Sequence, residues 1–269
     1  MDRVIKKSLI ACVPATLIAL VIFAAPSARA ATLVDYYQFE GNGTDSAGGD
    51  ANGAVGGSVT FGAGPIGQAG VFTINNTTAE RIEVPQANAF NPGSGDFSYA
   101  FWVNRDTGDV GNPDVIFDGL NGTGVGYQTL FDSSGNIILR LDTSTDFQLF
   151  TSASALTDTT EFHHVAVTVD RTGGEVTFYF DGIGETPIPI TSVTGSLTPD
   201  QDLWIGGGLD GQLDDLRFYT GVLTAGEVAS LVFQASVPEP STLLLLSLGA
   251  IGLASRRGVR HRAIQRRAN

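Results

Sequence analysis

Cysteine and lysine are almost absent from this sequence of 269 residues. Its one cysteine, Cys12, and its two lysines, Lys6 and Lys7, all lie in an N-terminal segment that has the features of a cleaved signal. The chain beyond that segment therefore has no thiol for a disulfide, a thiolate metal site or cysteine catalysis. It also has no lysine for a P-loop, and the motifs Gly-x-Ser-x-Gly of serine hydrolases and His-Glu-x-x-His of zinc proteases do not occur.

Positive charge is scarce in the central part of the chain. Residues 31–236 contain 26 aspartates and glutamates against five arginines, which gives this segment a net charge of −21. Such a surface repels nucleic acid and anionic lipid, and it favours solubility, cations or neutral ligands. The 34 glycines and an ordinary apolar content of 42% fit one core of β type in a chain of this length.

The N-terminus has the three parts of a secretory signal. Basic residues near the start precede an apolar run over residues 17–25, and Ala28-x-Ala30 forms a small-x-small cleavage site. We predict a signal peptide over residues 1–30 that is cleaved after Ala30. A retained membrane anchor is the alternative, although the apolar run is short of a bilayer span.

The C-terminus has a second three-part signal. Pro238, Glu239 and Pro240 are followed by an apolar stretch over residues 243–254 and then by six arginines. The Pro-Glu-Pro element resists helix formation and leaves an extended site for a protease, while the apolar stretch with its basic stop enters the inner membrane with the basic side inward. This arrangement over residues 236–260 resembles the PEP-CTERM sorting tails of Gram-negative bacteria, which implies processing by an exosortase-like enzyme. An ordinary single-pass anchor is the alternative; it would not need the Pro-Glu-Pro element.

Between the two signals, the sequence has the pattern of an all-β domain. Apolar runs alternate with clusters of Gly, Asn and Asp, and no long stretch with a period of 3.6 residues occurs. The predicted strands cover residues 33–39, 97–104, 136–142, 162–170, 175–181, 203–206 and 213–219. One short helix is predicted over residues 225–232, where Thr224 and Glu227 form a capping box. So many strands predict one domain over residues 31–235 with two stacked sheets, as in a jelly roll, and residues 261–269 form a basic cytoplasmic tail.

The clearest hairpin joins residues 164–170 to residues 175–181. Gly173 and Gly174 lie between these two strands, and glycine supplies the positive φ that a tight turn needs. The side chains predicted to share a face are Val165, Val167 and Val169 on the first strand and Phe178 and Phe180 on the second.

Several segments of the central region together point to one family. They are residues 36–48 (YYQFEGNGTDSAG), 64–72 (GPIGQAGVF), 82–85 (IEVP), 97–103 (FSYAFWV), 162–170 (FHHVAVTVD), 211–219 (GQLDDLRFY) and 222–231 (VLTAGEVASL). They resemble the strands and the last helical turn of laminin-G-like, concanavalin A-like domains. The resemblance implies a two-sheet antiparallel jelly-roll sandwich. Phe162 stands where that family usually has a tryptophan, and residues 72–74 replace a Phe-Asp-Gly-like turn.

Three apparent site motifs are better explained by the fold. Residues 62–67 fit a dinucleotide-binding pattern, but no helix follows and a proline occupies the phosphate turn. His163 and His164 are neighbours on a predicted strand and point to opposite faces, so they do not share a metal ion. Trp102 and Trp204 lie within apolar strands and are predicted to pack in the core, with sugar stacking as the alternative.

The acidic surface makes calcium the expected cofactor, because hard cations bind several carboxylate and carbonyl oxygens. The family resemblance implies a structural ion between the first strand with its turn and the last strand, held by Glu40 and Asp45 with Asp214 or Asp215. Strict alternation along the last strand points the two aspartates to opposite faces, so that at most one reaches the ion. Solvated turn carboxylates without a metal are the alternative.

These observations favour a non-enzymatic recognition module at the cell surface or in the extracellular matrix of a Gram-negative bacterium, transiently anchored in the inner membrane. The expected ligand is an exopolysaccharide or another matrix component, and no nucleic acid is expected. A purely structural matrix component is one alternative. A glycoside hydrolase of the same fold is another, but the strand motif Glu-x-Asp-x-x-Glu that would place its two carboxylates on one face does not occur.

Overall fold

The computed structural model of the protein describes residues 30–73, 80–106, 114–120 and 124–236. Ala30 of the predicted signal cleavage site is the first of them. Ala28, Pro238, Glu239 and Pro240 lie outside the described residues, as do both apolar segments that are predicted to enter a membrane. Within the described ranges, no helix is both long enough and apolar enough to span a membrane.

The described residues form sixteen strands followed by one helix. In chain order these elements are β1 (Thr32–Tyr37), β2 (Ala54–Val55), β3 (Thr60–Ala63), β4 (Gln68–Phe72), β5 (Ile82–Val84), β6 (Phe97–Arg105), β7 (Asp114–Asp118), β8 (Gly126–Phe131), β9 (Asn136–Asp142), β10 (Phe147–Ala155), β11 (His163–Asp170), β12 (Glu175–Phe180), β13 (Ile183–Gly184), β14 (Ile188–Pro189), β15 (Leu203–Gly208), β16 (Gly211–Thr220) and α1 (Ala225–Ser236). All seven strands predicted from the sequence are present, with ends that shift by at most two residues.

The strands form two antiparallel sheets, which confirms the predicted sandwich. A nine-stranded sheet has the order β13-β12-β11-β6-β16-β4-β3, and in addition β1 pairs with β16 and β14 with β12. A seven-stranded sheet has the order β10-β9-β8-β7-β15-β5-β2. We call the side of each sheet that is turned away from the other sheet its outer face.

The hydrophobic core lies between the two sheets and is rich in aromatic rings. Tyr99 of β6 and Phe117 of β7 meet edge to face across the sheets, with ring centroids 4.9 Å apart. Phe90 stacks on Phe218 of β16 at 5.1 Å. Aromatic pairs of this kind contribute stability beyond the area that they bury, so the rings fix how the two sheets are placed against each other.

The hairpin of β11 and β12 has the predicted register. Val165 lies opposite Phe180, and Val167 lies opposite Phe178. The three valines and Phe178 are buried in the core, and the half-buried Phe180 packs against its rim. Gly174 has a φ of 77° and donates its N–H to the carbonyl of Asp170 at 2.8 Å, as the tight turn requires.

Helix α1 covers part of the outer face of the nine-stranded sheet. Its buried side chains, Val228 and Leu231, join a small apolar cluster with Ala100, Ala166 and Tyr219 of the sheet, among others. The predicted capping box is present, since the Thr224 N–H donates to Glu227 Oε2 at 2.7 Å and the Glu227 N–H donates to Thr224 Oγ1 at 3.2 Å. The helix continues four residues beyond its predicted end, because no helix breaker occurs before Pro238.

Candidate functional site

A continuous row of side chains crosses the outer face of the seven-stranded sheet. Residues directly opposite each other on neighbouring strands share a face of the sheet, and the register connects one residue from each of the seven strands. In sheet order, the row consists of Leu149, Arg140, Gln128, Asp118, Trp204, Glu83 and Ala54. At about 4.8 Å between strands the row is about 29 Å long, and we call it the cross-strand row.

Trp204 occupies the middle of the cross-strand row, so the prediction that it packs in the core is wrong. Leu203 and Ile205 on either side of it are fully buried, and the alternation of β15 therefore turns Trp204 outward. The guanidinium of Arg81 lies over the indole, 3.7 Å from the ring centroid, in a cation–π contact. One face of Trp204 is thus already occupied by the protein itself.

The same arginine fixes a carboxylate beside the indole. Arg81 Nε and Nη2 donate to Glu83 Oε2 at 2.9 and 2.6 Å, and the Glu83 side chain is 39% exposed. The contact with Trp204 holds the guanidinium of Arg81, and the ion pair with that guanidinium in turn holds the Glu83 carboxylate in place. The group of Trp204, Arg81 and Glu83 is therefore a rigid polar surface.

A pocket of about 400 Å³ opens next to this group, at the β2 edge of the sheet. Its lining includes Arg81, Glu83, Val55, Pro85 and Asp202. The lining combines donors, acceptors and small apolar patches, and its size lies within the range of small-molecule sites. The pocket therefore suits a compact, uncharged ligand with many hydroxyl groups better than an anion.

The far end of the cross-strand row is apolar and basic. Phe147 and Leu149 of β10 are 62% and 53% exposed. Arg140 lies next to Leu149 in the row. Its guanidinium is 5.9 Å from the centre of the Phe147 ring, and its Nη2 is 2.6 Å from Asp142 Oδ2. An extended ligand that crosses the sheet would meet this region after the polar centre of the row.

On the other sheet, the two histidines lie as the sequence predicts. His163 is opposite Val103 and His164 is opposite Trp102, so the two imidazoles point to opposite faces. His163 Nδ1 lies 2.9 Å from Asp181 Oδ2. His164 is buried beside the equally buried Trp102, and this burial lowers the pKa of His164 to about 4. Trp102 is buried as predicted, but it lies on the outer face of the nine-stranded sheet and not in the core between the sheets, because Phe101 and Val103 on either side of it face that core.

The two aspartates of the predicted calcium site lie on a β-bulge of β16. Leu213 and Leu216 both face the core, so two residues instead of one separate successive core positions, and Asp215 has a φ of 55°. The bulge lies where the neighbour of β16 changes from β4, which pairs with residues 211–213, to β1, which pairs with residues 216–220. The prediction that the two aspartates point to opposite faces assumed strict alternation along the strand. A bulge interrupts that alternation, so the assumption does not apply here.

Asp214 and Glu40 converge on the turn between β3 and β4. Asp214 Oδ2 accepts the N–H of Ile66 at 2.9 Å, and Glu40 Oε1 accepts the N–H of Gln68 at 3.0 Å. Asp214 Oδ1 is buried without a hydrogen-bond partner among the described residues. Burial raises the pKa of Asp214 to about 7, and the nearby Asp215 and Glu40 act in the same direction.

Two glycines of this turn make the approach of the carboxylates possible. A Cβ at Gly64 would lie 2.5 Å from Asp214 Oδ2, and a Cβ at Gly67 would lie 1.8 Å from Glu40 Oε1. Both positions exclude any larger residue unless the carboxylate moves away. The turn therefore leaves space for carboxylate oxygens against its backbone.

Asp45 and Asp215 have other partners. Asp45 Oδ1 accepts the N–H groups of Tyr36 and Ala47, both at 2.8 Å, and its Oδ2 accepts that of Gly49 at 2.9 Å. Asp215 accepts hydrogen bonds from the Tyr36 hydroxyl and from Arg217, whose Nη2 lies 2.9 Å from Asp215 Oδ2. Asp45 thus closes the turn after β1, and Asp215 neutralises a buried arginine.

These contacts define how calcium would fit. The described residues contain no group of three or more His, Cys, Asp or Glu side chains that could hold a metal ion. Glu40 and Asp214 are the two predicted ligands that lie on the same turn, and Asp214 has a buried oxygen without a hydrogen-bond partner among the described residues, so these two carboxylates would hold the ion. A calcium ion would there link the start of the domain to its last strand, and its presence stays a prediction.

Comparisons with known proteins agree with the two parts of the chain identified from the sequence. The profile of the concanavalin A-like lectin/glucanases superfamily, in its laminin-G form, matches residues 76–229. The PEP-CTERM protein-sorting motif matches residues 236–258. The motif indicates a protein that is exported across the membrane and processed by an exosortase. A search of curated proteins gives no match.

Solved structures of similar fold include binding domains of toxins and one domain of an enzyme. The binding domain of Paraclostridial Mosquitocidal Protein 1 superposes with a TM-score of 0.62 at 18% identity, covering 75% of this chain and 52% of that one. Domain 4 of AbnA, a GH43 extracellular arabinanase from Geobacillus stearothermophilus solved with arabinotriose, gives 0.56 at 20% identity, with 76% and 100% coverage. The binding domain of botulinum neurotoxin DC, solved with SialylT, gives 0.59 at 15% identity, with 76% and 51% coverage. This chain spans about half the length of the two toxin domains, and at these identities the likeness establishes the fold alone.

Proposed function

This chain belongs to the concanavalin A-like lectin/glucanases superfamily, and from that premise we propose that it is an exported module that binds a neutral polysaccharide without cleaving it. The observation that supports this proposal is the pocket beside Arg81, Glu83 and Trp204, on the outer face of the seven-stranded sheet. The ligand would enter the pocket with one sugar unit and extend along the cross-strand row.

The charge of the domain favours a neutral glycan over an acidic one. A net charge of −21 over residues 31–236 repels anionic polymers, and Glu83 and Asp202 bring two more carboxylates to the pocket lining. Carboxylates accept hydrogen bonds from sugar hydroxyls, whereas a sugar acid would add like charge to the pocket. Two similar structures were solved with arabinotriose and with SialylT. They support a glycan as the class of ligand, and the preference for a neutral one rests on the charge of this domain.

The carboxylates of the cross-strand row are engaged in a way that suits binding better than hydrolysis. Glu83 and Asp118 flank Trp204 on neighbouring strands. Glu83 is ion-paired with Arg81 at 2.6 Å, and Asp118 accepts hydrogen bonds from Gln128 Nε2 at 3.0 Å and from the Leu120 N–H at 2.7 Å. A glycosidase acid must give a proton to the leaving group, whereas both of these carboxylates are held as acceptors by side chains or N–H groups of the protein.

A glycan array with residues 31–236, followed by calorimetry on the best ligand, tests the proposal. Glu83→Gln should weaken binding by about 10-fold or more, because a hydrogen bond to a charged group contributes about 1.5–3 kcal/mol. Glu175→Gln is the matched control, since Glu175 is an exposed glutamate on the other sheet. If no glycan binds, the domain is a structural matrix component instead. If a glycan binds and the two variants bind it equally, the site is not the pocket beside Glu83. Shortened products after prolonged incubation would support the hydrolase.

A further inference from the structure

Helix α1 presents an uncharged and partly apolar face to solvent. No residue from 228 to 236 carries a charge, and Phe233 is 66% exposed. Surface helices normally place charged and polar residues on their outward side. The contrast is large in a segment whose net charge is −21, so the end of this helix is unlike the rest of the surface.

A second exposed apolar side chain adjoins the helix end. Ile183 of β13 is 75% exposed, and β13 contacts α1. Next to Ile183, a Cβ on Gly182 would lie 3.3 Å from Val232 Cγ2 and 3.4 Å from the Cα of Ala229. Glycine thus lets the helix lie directly on the turn between β12 and β13. We call Phe233 and Ile183, which flank this contact, the helix-end patch.

Both ends of the described domain lie on the side of the sandwich that α1 covers. Thr32 of β1 pairs with Thr220, the last residue of β16, a few residues before α1 begins. Ala31, the first residue after the predicted cleavage site, packs against the apolar cluster under α1. The predicted signal peptide and the sorting tail are therefore both attached on this side, opposite the cross-strand row.

The distance from the helix to the sorting tail is short. Only residues 237–242 separate the end of α1 from the apolar stretch over residues 243–254. A fully extended chain spans at most about 3.6 Å per residue, so these six residues reach about 20 Å. With the apolar stretch inserted, the end of α1 stays close to the lipid headgroups, a region that accepts exposed aromatic and aliphatic side chains.

We propose that the helix-end patch rests on the phospholipid surface while the sorting tail is inserted, so that the cross-strand row points away from the membrane. The occupant is lipid, because the short connection to the apolar stretch keeps the patch at the bilayer. Asp181 and Glu185 lie two residues to either side of Ile183, so zwitterionic headgroups suit the contact better than anionic ones. Membrane contact would then be local and dependent on the tail, and it ends when the tail is cut. The inference rests on insertion of the tail and does not require that a glycan binds.

Depth-dependent quenching tests this arrangement on the signal-processed chain. Residues 31–269 contain no cysteine, so each variant carries a single site for an environment-sensitive fluorophore. Phe233→Cys and Ile183→Cys probe the helix-end patch, and Ser247→Cys probes the tail. Leu149→Cys is the matched control, because Leu149 is a comparably exposed apolar residue on the other sheet. The labelled chains are reconstituted in phosphatidylcholine vesicles with a quencher on the lipid chains.

We expect loss of fluorescence at positions 233, 183 and 247 and none at 149. Cutting the chain after residue 242 should restore the signal at 233 and 183. Equal quenching of the labels at positions 233 and 149 would overturn the proposal, and so would quenching at position 247 without quenching at position 233. A label at position 247 that is not quenched would overturn the insertion of the tail, on which the proposal depends. A concentration-dependent dimer whose label at 233 is shielded from water but not quenched by lipid would show a second copy of the chain on the patch instead. Unfolding curves of the four labelled chains verify that each remains folded.

Discussion

Removal of the Phe178 side chain should cost the domain a large part of its stability. Phe178 is 1% exposed and lies opposite Val167 in the core-facing side of the β11–β12 hairpin. Truncation of a buried phenylalanine to alanine costs about 3–5 kcal/mol, because transfer energy is lost and a cavity remains. The total stability of a domain is about 5–15 kcal/mol. We therefore expect the urea midpoint of Phe178→Ala to fall by about 1–2 M.

Phe180→Ala is the matched control on the same strand. Phe180 is half-buried at the core rim, so its removal leaves little cavity and should cost about 1–2 kcal/mol. The assay is urea unfolding of residues 31–236 followed by fluorescence of Trp102 and Trp204, which report on one sheet each. Equal losses for the two variants, or a larger loss for Phe180→Ala, would refute the register of the hairpin and the position of the core.

Three further predictions concern charge and processing. Burial raises the pKa of Asp35 and of Asp214 to about 7. In EDTA, the protons bound to these carboxyls should therefore stabilise the fold fully below about pH 4, and this stabilisation of a few kcal/mol should be lost as the pH rises through about 7. The urea midpoint should depend less on pH in Asp35→Asn. Calcium should raise the melting temperature more than magnesium does at equal ionic strength. Asp214→Asn should abolish this difference, and Asp215→Asn should keep it. Equal melting temperatures in the two ions would mean that these side chains are turn carboxylates without a metal. Intact-mass measurement of surface material should find a chain that starts near Ala31 and ends near the Pro-Glu-Pro element, and residues 243–269 still attached would contradict processing.

The parts of the fold that follow from local alternation could be predicted from the sequence. From Val165 onward, every second residue of β11 is a core valine, and the residues opposite them on β12 are Val176, Phe178 and the rim residue Phe180. The hairpin, its register and its core face therefore all follow from a period of two. The same rule, applied to Leu203 and Ile205, turns Trp204 outward. The prediction for Trp204 was wrong because it weighed the apolar neighbourhood of the strand and not the alternation within it.

The bulge of β16 could not be predicted in this way. Asp214 and Asp215 interrupt a strand that otherwise alternates, but their positions follow from the two strands that share one edge of β16, and those strands come from the opposite end of the domain. The bulge lies in the pairing of β16 with β6, at the place where the other edge of β16 changes its partner from β4 to β1. Only the three-dimensional neighbours of β16 therefore explain why Asp214 meets the turn of β3 and β4 while Asp215 pairs with Arg217.

The cross-strand row also depends on the pairing of strands that are far apart in the sequence. Strands β7 to β10 follow the chain order in the sheet, but β15 lies between β7 and β5, and Asp118, Trp204 and Glu83 become neighbours only through the pairing of these three strands. No local sequence motif can indicate such a site, since each strand contributes a single side chain to the row. It follows that the absence of the glycosidase strand motif, which places two carboxylates on one strand, says nothing about carboxylates on different strands. The case against catalysis depends instead on the contacts that hold Glu83 and Asp118 as hydrogen-bond acceptors, and the incubation that looks for shortened glycans tests whether either carboxylate nevertheless supports hydrolysis.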